Sequence, residues 1–126
     1  MIEFTVPGRA VPAVRMTQRS KYTRRAQRYL AYKKQVGWVA RQHYKGGRPS
    51  KKPIGIGIKV YLCGGNQGDI DNYFKSIADS LNKIVYEDDR QVNTILYSHI
   101  IQCASKDRER VEVEVREMEE LREKVS

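Results

Sequence analysis

From Ile54 to Leu62 the chain alternates without a slip: Ile54, Ile56, Ile58, Val60 and Leu62 are aliphatic, with Gly55, Gly57, Lys59 and Tyr61 between them. Successive side chains of a strand point to opposite faces, so this segment predicts a strand with one dry face that another element must cover. Phe74, Ile77, Ala78, Leu81 and Ile84 recur at helical intervals and predict a covering helix from about Asp71 to Lys83. A second helix is expected from Thr23, a capping residue, to Gly46-Gly47, with Ala26, Tyr29, Val36, Val39, Ala40 and His43 on one face. Arg24, Arg25, Arg28, Lys34 and Arg41 then point away from the core, and Trp38 is assigned to it.

Three more strands are expected: Ile2, Phe4 and Val6, ended by Pro7-Gly8; Val92 to Ile101; and Val111, Val113 and Val115. Between them lie a basic loop from Arg9 to Tyr22, a polar linker from Arg48 to Pro53 and a loop with Gly64, Gly65, Asn66 and Gly68. The tail from Glu117 to Ser126 is expected to form a short, frayed helix using Met118, Leu121 and Val125. The order β-α-β-α-β-β implies an α+β fold, one domain over residues 1–126, with a mixed sheet covered by two helices.

The net charge of +9 is unevenly distributed. Residues 1–53 hold fourteen Lys or Arg and one acid, Glu3, for +13; residues 54–126 hold ten Lys or Arg and fourteen acids, for −4. Such one-sided charge repels itself unless a polyanion lies close by, which points to nucleic acid. No apolar run is long enough to span a membrane, and the N-terminus reads as a strand rather than a signal segment, so the expected location is the cytoplasm. Cys63 and Cys103 have no second Cys or His at ligand spacing and are expected to be buried, reduced thiols. His43 and His99 occur singly within periodic elements and are expected to be structural.

The chemistry gathers where the glycine loop meets the second helix. Asp71 and Lys75 are four residues apart and share a helical face that is not the apolar one, and Asp69 lies just outside the helix. Asp88 and Asp89 follow in the next turn, and the loop is expected to bring them back to Asp69 and Asp71. Acids so grouped would repel one another, and a divalent cation bound by Asp69, Asp71, Asp88 and Asp89 removes that penalty. Magnesium takes oxygen ligands, keeps several waters and supports phosphodiester hydrolysis. Each residue also has a plainer use: Asp69 or Asp71 as a helix cap, Lys75 as the ion-pair partner of Asp71, Asp88 and Asp89 as turn residues.

The motifs Asp69-Ile70-Asp71-Asn72 with Lys75, Ala78-Asp79-Ser80-Leu81-Asn82 and Glu87-Asp88-Asp89-Arg90-Gln91-Val92 resemble the RusA family of Holliday-junction resolvases, phage-associated endodeoxyribonucleases. Val6-Pro7-Gly8 and Val11-Pro12 are similar as well. The resemblance implies a homodimer that binds a four-way DNA junction and nicks two opposed strands with Mg²⁺ or Mn²⁺. It also implies that Asp69, Asp71 and Asp89 are the essential metal-binding acids, Asp88 a supporting carboxylate, Lys75 a catalytic lysine and Asn72 an orienting amide. The chain departs from the family in its longer basic linker around residues 48–53 and its charged tail.

The expected mechanism is metal-assisted attack of water on phosphorus, leaving 5′-phosphate and 3′-hydroxyl ends, with Lys75 stabilising the charged phosphate. Arg15, Arg19, Lys21, Arg24, Arg25 and Arg28 are the candidate phosphate contacts. Tyr22, Tyr29 and Tyr32 are candidates for base stacking, though core or surface roles suit them better. The alternative from another class is a non-catalytic basic nucleic-acid-binding module. A dehalogenase-like phosphatase also uses D-x-D, but Gly68 and Tyr73 stand where it needs an apolar strand residue and a small hydroxyl.

Overall fold

The computed structural model describes residues 1–65 and 68–125, so Asn66 and Gln67 of the glycine loop and Ser126 of the tail lie outside the described residues. The elements are β1 (Ile2–Pro7), α1 (Arg24–His43), β2 (Ile54–Leu62), α2 (Ile70–Leu81), β3 (Val92–Gln102) and β4 (Arg110–Glu117). They form the expected α+β domain, with one mixed sheet of order β1-β4-β2-β3. β4 is antiparallel to both β1 and β2, whereas β2 and β3 run parallel. Parallel neighbours need a crossover connection, and α2 is that crossover.

Strand alternation fixes which side is dry. Ile2, Phe4 and Val6, the five aliphatics of β2, and Val111, Val113 and Val115 are buried in one cluster with Val36 and Ala40 of α1 and Ile77 and Leu81 of α2. The opposite face carries Glu3, Thr5, Lys59, Tyr61, Glu112 and Glu114. Tyr61 donates to Glu112 at 3.0 Å and Tyr97 to Glu114 at 2.9 Å across it. Gly57 is required there: an added Cβ would stand 2.3 Å from the Tyr97 ring.

α1 starts where Thr23 accepts a hydrogen bond from the Ala26 amide at 3.2 Å, the expected cap, and it ends at His43, short of Gly46-Gly47. Ala26, Tyr29, Tyr32, Val36, Gly37 and Ala40 make its buried stripe. Trp38 is not in the core: it is 64% exposed, because the stripe passes through Gly37 beside it. His43 also lies outside the core, exposed against the edge of Phe4 with ring centroids 6.1 Å apart. In α2, Ile77, Ala78 and Leu81 are buried as expected, but the deepest aromatic is Tyr73, with Phe74 only half-buried, and Ser76 and Ser80 complete the buried face.

Residues 118–125 form no helix. The Met118 amide instead donates to the Pro53 carbonyl at 2.7 Å, and its side chain lies over Gly55, extending the central β2–β4 pairing. Cys63 and Cys103 are free thiols, half-buried rather than fully buried, because each sits just past the end of its strand. Among the described residues, no helix is long and apolar enough to cross a membrane.

Candidate active site

Asp69 is the residue preceding α2, with extended backbone, and Asp71 is in the helix's first turn. The Asp69 side chain makes no capping hydrogen bond. Asp71 and Lys75 are exposed and form no ion pair with each other or with any described residue. The cap and the i, i+4 pair that could have explained these residues structurally are therefore not made. Two carboxylates stand at the start of α2 and Lys75 one turn further in, without ion-pair partners among the described residues, and the partial positive charge of that N-terminus favours anionic oxygens there.

The basic loop is fastened to this point. Ala13 donates its amide to the Asn72 carbonyl at 2.9 Å, and Ala10 and Ala13 are buried. Arg15 is thereby carried into one groove with Asn72, Lys75, Lys33, Asp79 and Tyr29. Arg25 and Arg28 line an adjoining cleft with Arg9, Val14 and Tyr73. Arg19, Lys21 and Arg24 line neither cleft; Lys21 lies 5.1 Å over the Tyr22 ring. Of the tyrosines considered for stacking, Tyr29 and Tyr32 are buried and Tyr22 is 76% exposed.

Asp88 and Asp89 are elsewhere. Ser50, just before β2, donates to the Val85 carbonyl at 2.8 Å and accepts from the Glu87 amide at 3.2 Å, so the chain after α2 arrives at the start of β2. Val92 pairs with Ile54 there. Asp69 and Asp71 follow the far end of β2, and the twelve residues of α2 span about 18 Å between the two acid pairs. The loop does not bring Asp88 and Asp89 back to Asp69 and Asp71 within one chain, because parallel pairing of β3 with β2 obliges α2 to run the length of the sheet. Among the described residues, no group of three or more His, Cys, Asp or Glu could hold a metal ion.

The two acids of the second pair differ. Asp88 caps a single 3-10 turn, Asp89–Gln91, accepting from the Arg90 amide at 2.9 Å, and it also pairs with the Arg90 guanidinium at 3.0 Å. The Arg90 hydrogen bonds hold its carboxyl well below the usual carboxylate range. Asp89 is exposed and enters no ion pair among the described residues. Gln91 completes the cap: its side-chain oxygen accepts from the Asp88 amide at 2.8 Å, and its nitrogen donates to the carbonyls of Ser50 at 2.7 Å and Lys52 at 2.9 Å. Gln91 thus ties the basic linker to this turn.

One group near the first acid pair, Glu109, and one pairing, Tyr29 with Asp79, are not apparent from the sequence. Glu109 is 7% exposed, accepting from Arg9 at 2.5 Å and from the Cys63 amide at 2.9 Å. It joins the ends of β1 and β2 below the glycine loop. Tyr29 donates to Asp79 at 2.9 Å, and both that bond and burial push its phenol well above the ordinary tyrosine range, burial being the larger cause. Neither set of hydrogen bonds has a sequence signal, since each partner lies tens of residues away.

A sheet whose exposed face is acidic, and whose helical side carries unpaired acids and a lysine at the mouth of a cationic groove, has the layout of a protein that handles polyanions. Residues 7–116 match the family model for endodeoxyribonuclease RusA. The chain belongs to the RusA endodeoxyribonuclease family, and so to a class of DNA-cleaving enzymes. No curated protein sequence matches the chain significantly.

Proposed function

We propose that the protein is a magnesium-dependent endonuclease that resolves four-way DNA junctions, acting as a homodimer in recombination and repair in a bacterial cytoplasm, as a phage or prophage product. The observation that supports it most is the set Asp69, Asp71 and Lys75, exposed and without ion-pair partners among the described residues, beside Asn72 and Arg15. Structural caps and ion pairs would have used these groups, as Asp88 and Arg90 are used, so the non-catalytic binding module leaves them unexplained.

Two carboxylates plus waters are a donor set that suits Mg²⁺, with Mn²⁺ as the expected substitute. When bound, the ion would make a coordinated water more acidic than bulk water and offset charge at the phosphate. Asp69 and Asp71 would hold it from one end of α2. Lys75 would set its ammonium against the charge that grows on the phosphate oxygens, and Asn72 would orient a carboxylate by hydrogen bonding. The expected products carry 5′-phosphate and 3′-hydroxyl ends.

Asp89 would come from the second protomer, with Asp88 and Gln91 fixing its turn. β3 is an edge strand, and Ile95 and Ile100 on it are 59% and 41% exposed. An antiparallel apposition of two β3 edges about a two-fold axis would set the Asp69 end of one protomer beside the Asp89 end of the other. Two equivalent centres would result, one for each opposed strand.

The test uses end-labelled four-way, forked and linear duplexes, with and without Mg²⁺, and maps the nicks. Paired, metal-dependent nicks at the branch are expected from the wild type, and none from Asp71→Asn or Asp89→Asn, both of which should still bind the junction. Wild-type cutting by either variant would remove that acid from the mechanism.

A further inference from the structure

The groove that opens at Lys75 continues between α1 and α2. Lys33 and Asp79 line both its first stretch and the next, which adds Lys34, Trp38, Arg41 and Ile84; Arg41 and Ile84 then line a third stretch with Lys83. Six cations border this path, namely Arg15, Lys75, Lys33, Lys34, Arg41 and Lys83. The acid on it is Asp79, whose carboxylate is already engaged by Tyr29.

The middle of the path is aromatic and apolar. Trp38 is 64% exposed, and Leu30 and Ile84 line the same stretch. Gly37 lets the helices approach there: a Cβ on it would meet Ile84 Cδ1 at 2.9 Å and the Ser80 carbonyl at 3.4 Å. Lys34 and Arg41, four residues before Trp38 and three after, are its neighbours on the helix surface. An exposed indole bracketed by cations over an apolar floor offers a stacking surface for a nucleobase and counter-charge for the phosphates on either side. From Lys75 to its end at Leu81, α2 runs about 9 Å, and Lys83 lies in the turn beyond it, room for a few nucleotides of one strand.

We propose that the α1–α2 groove binds unpaired DNA strand leading away from the Lys75 end, with one base stacked on Trp38. The proposal rests on the nuclease reading and deepens it: the preferred substrate has unpaired nucleotides, or ones readily unpaired, next to the cleavage point.

Trp38 is the sole tryptophan of the chain, so intrinsic fluorescence reports on the groove directly. The intact protein is titrated, without added metal, with a four-way junction, with oligothymidylate and with a fully paired duplex of equal length. Junction and oligothymidylate should quench the emission, and the duplex should quench it far less. Trp38→Ala, at an exposed position, should bind the junction about five-fold to a hundred-fold more weakly, in keeping with one lost base stack, and Trp38→Phe should recover most of the loss. Nicking and binding that proceed normally in Trp38→Ala, with no quenching in the wild type, would overturn the groove proposal and leave the nuclease reading standing. A junction neither bound nor nicked by the wild type would instead sink the nuclease reading. Emission that shifts with protein concentration in the absence of DNA would assign the groove to a second copy of the chain and also overturn the proposal.

Discussion

Two inactive variants should restore one another's cutting, but only halfway. Asp71 stands at the start of α2, and Asp89 lies beyond the other end of that twelve-residue helix, so one chain holds half of each proposed centre. In a dimer of one Asp71→Asn chain and one Asp89→Asn chain, a centre shared across the two-fold axis carries both substitutions at one position and neither at the other. Co-expression with two different tags and purification on both yields only such mixed dimers. One intact centre in two should return junction nicking to about half the wild-type rate, with each homodimeric variant inactive. Resolution should not return, because paired incisions need both centres at once. Denaturing gels count single nicks, and native gels count resolved arms. Were each centre built within one chain, every chain of the mixed dimer would carry a lesion; a mixed dimer that binds the junction but does not nick it would refute the shared site.

Gly57→Ala should destabilise the fold by about 1–3 kcal/mol in chemical denaturation, because the new methyl overlaps the Tyr97 ring and displaces it from Glu114. Arg15→Ala should lower the slope of log binding constant against log salt by about 0.9, whereas Arg116→Ala, on the acidic sheet face and paired with Glu114, should leave it unchanged. Alkali should unfold the protein. Burial raises the phenols of Tyr29, Tyr32 and Tyr86 well above their ordinary value of 10.0, and Tyr97 is pushed up to about 12 by burial and by its bond to Glu114. Their folded values exceed the unfolded one, so the stability linked to them is complete below about pH 10 and declines as pH rises further. Tyrosinate absorbance and loss of circular dichroism should then rise together.

Elements with a regular repeat were legible in the sequence, and relations between elements were not. The alternation of Ile54 to Leu62 and of Val111 to Val115 gave both central strands, and Thr23 marked the start of α1, because each signal is carried by neighbours in sequence. Trp38 was misplaced for the same reason: hydrophobicity alone put it inside, while the buried stripe turns on Gly37, a residue with no hydrophobic signal of its own. Tyr73 and Phe74 compete for one face of α2, and a pattern of adjacent aromatics cannot decide between them. The acids were found by motif, but their separation is a property of topology. It follows from β3 lying parallel to β2, and the strand patterns are equally compatible with an antiparallel neighbour.

That topology also explains why the motif Asp88-Asp89-Arg90-Gln91 contains more than acids. An exposed turn at the end of a sheet has little packing to hold it, so a carboxylate offered to a neighbouring protomer would sample many positions. Asp88 and Gln91 close a reciprocal cap around the turn, and Gln91 spends its remaining amide protons on the linker carbonyls of Ser50 and Lys52. In the proposed shared centre, one acid would thereby serve as scaffold so that the next, Asp89, stands at a fixed point. Gln91→Glu keeps the size of the side chain but replaces those donors with a charge against two carbonyls. It should loosen the turn and mimic the cleavage defect of Asp89→Asn while leaving α2 and the Lys75 groove as they are.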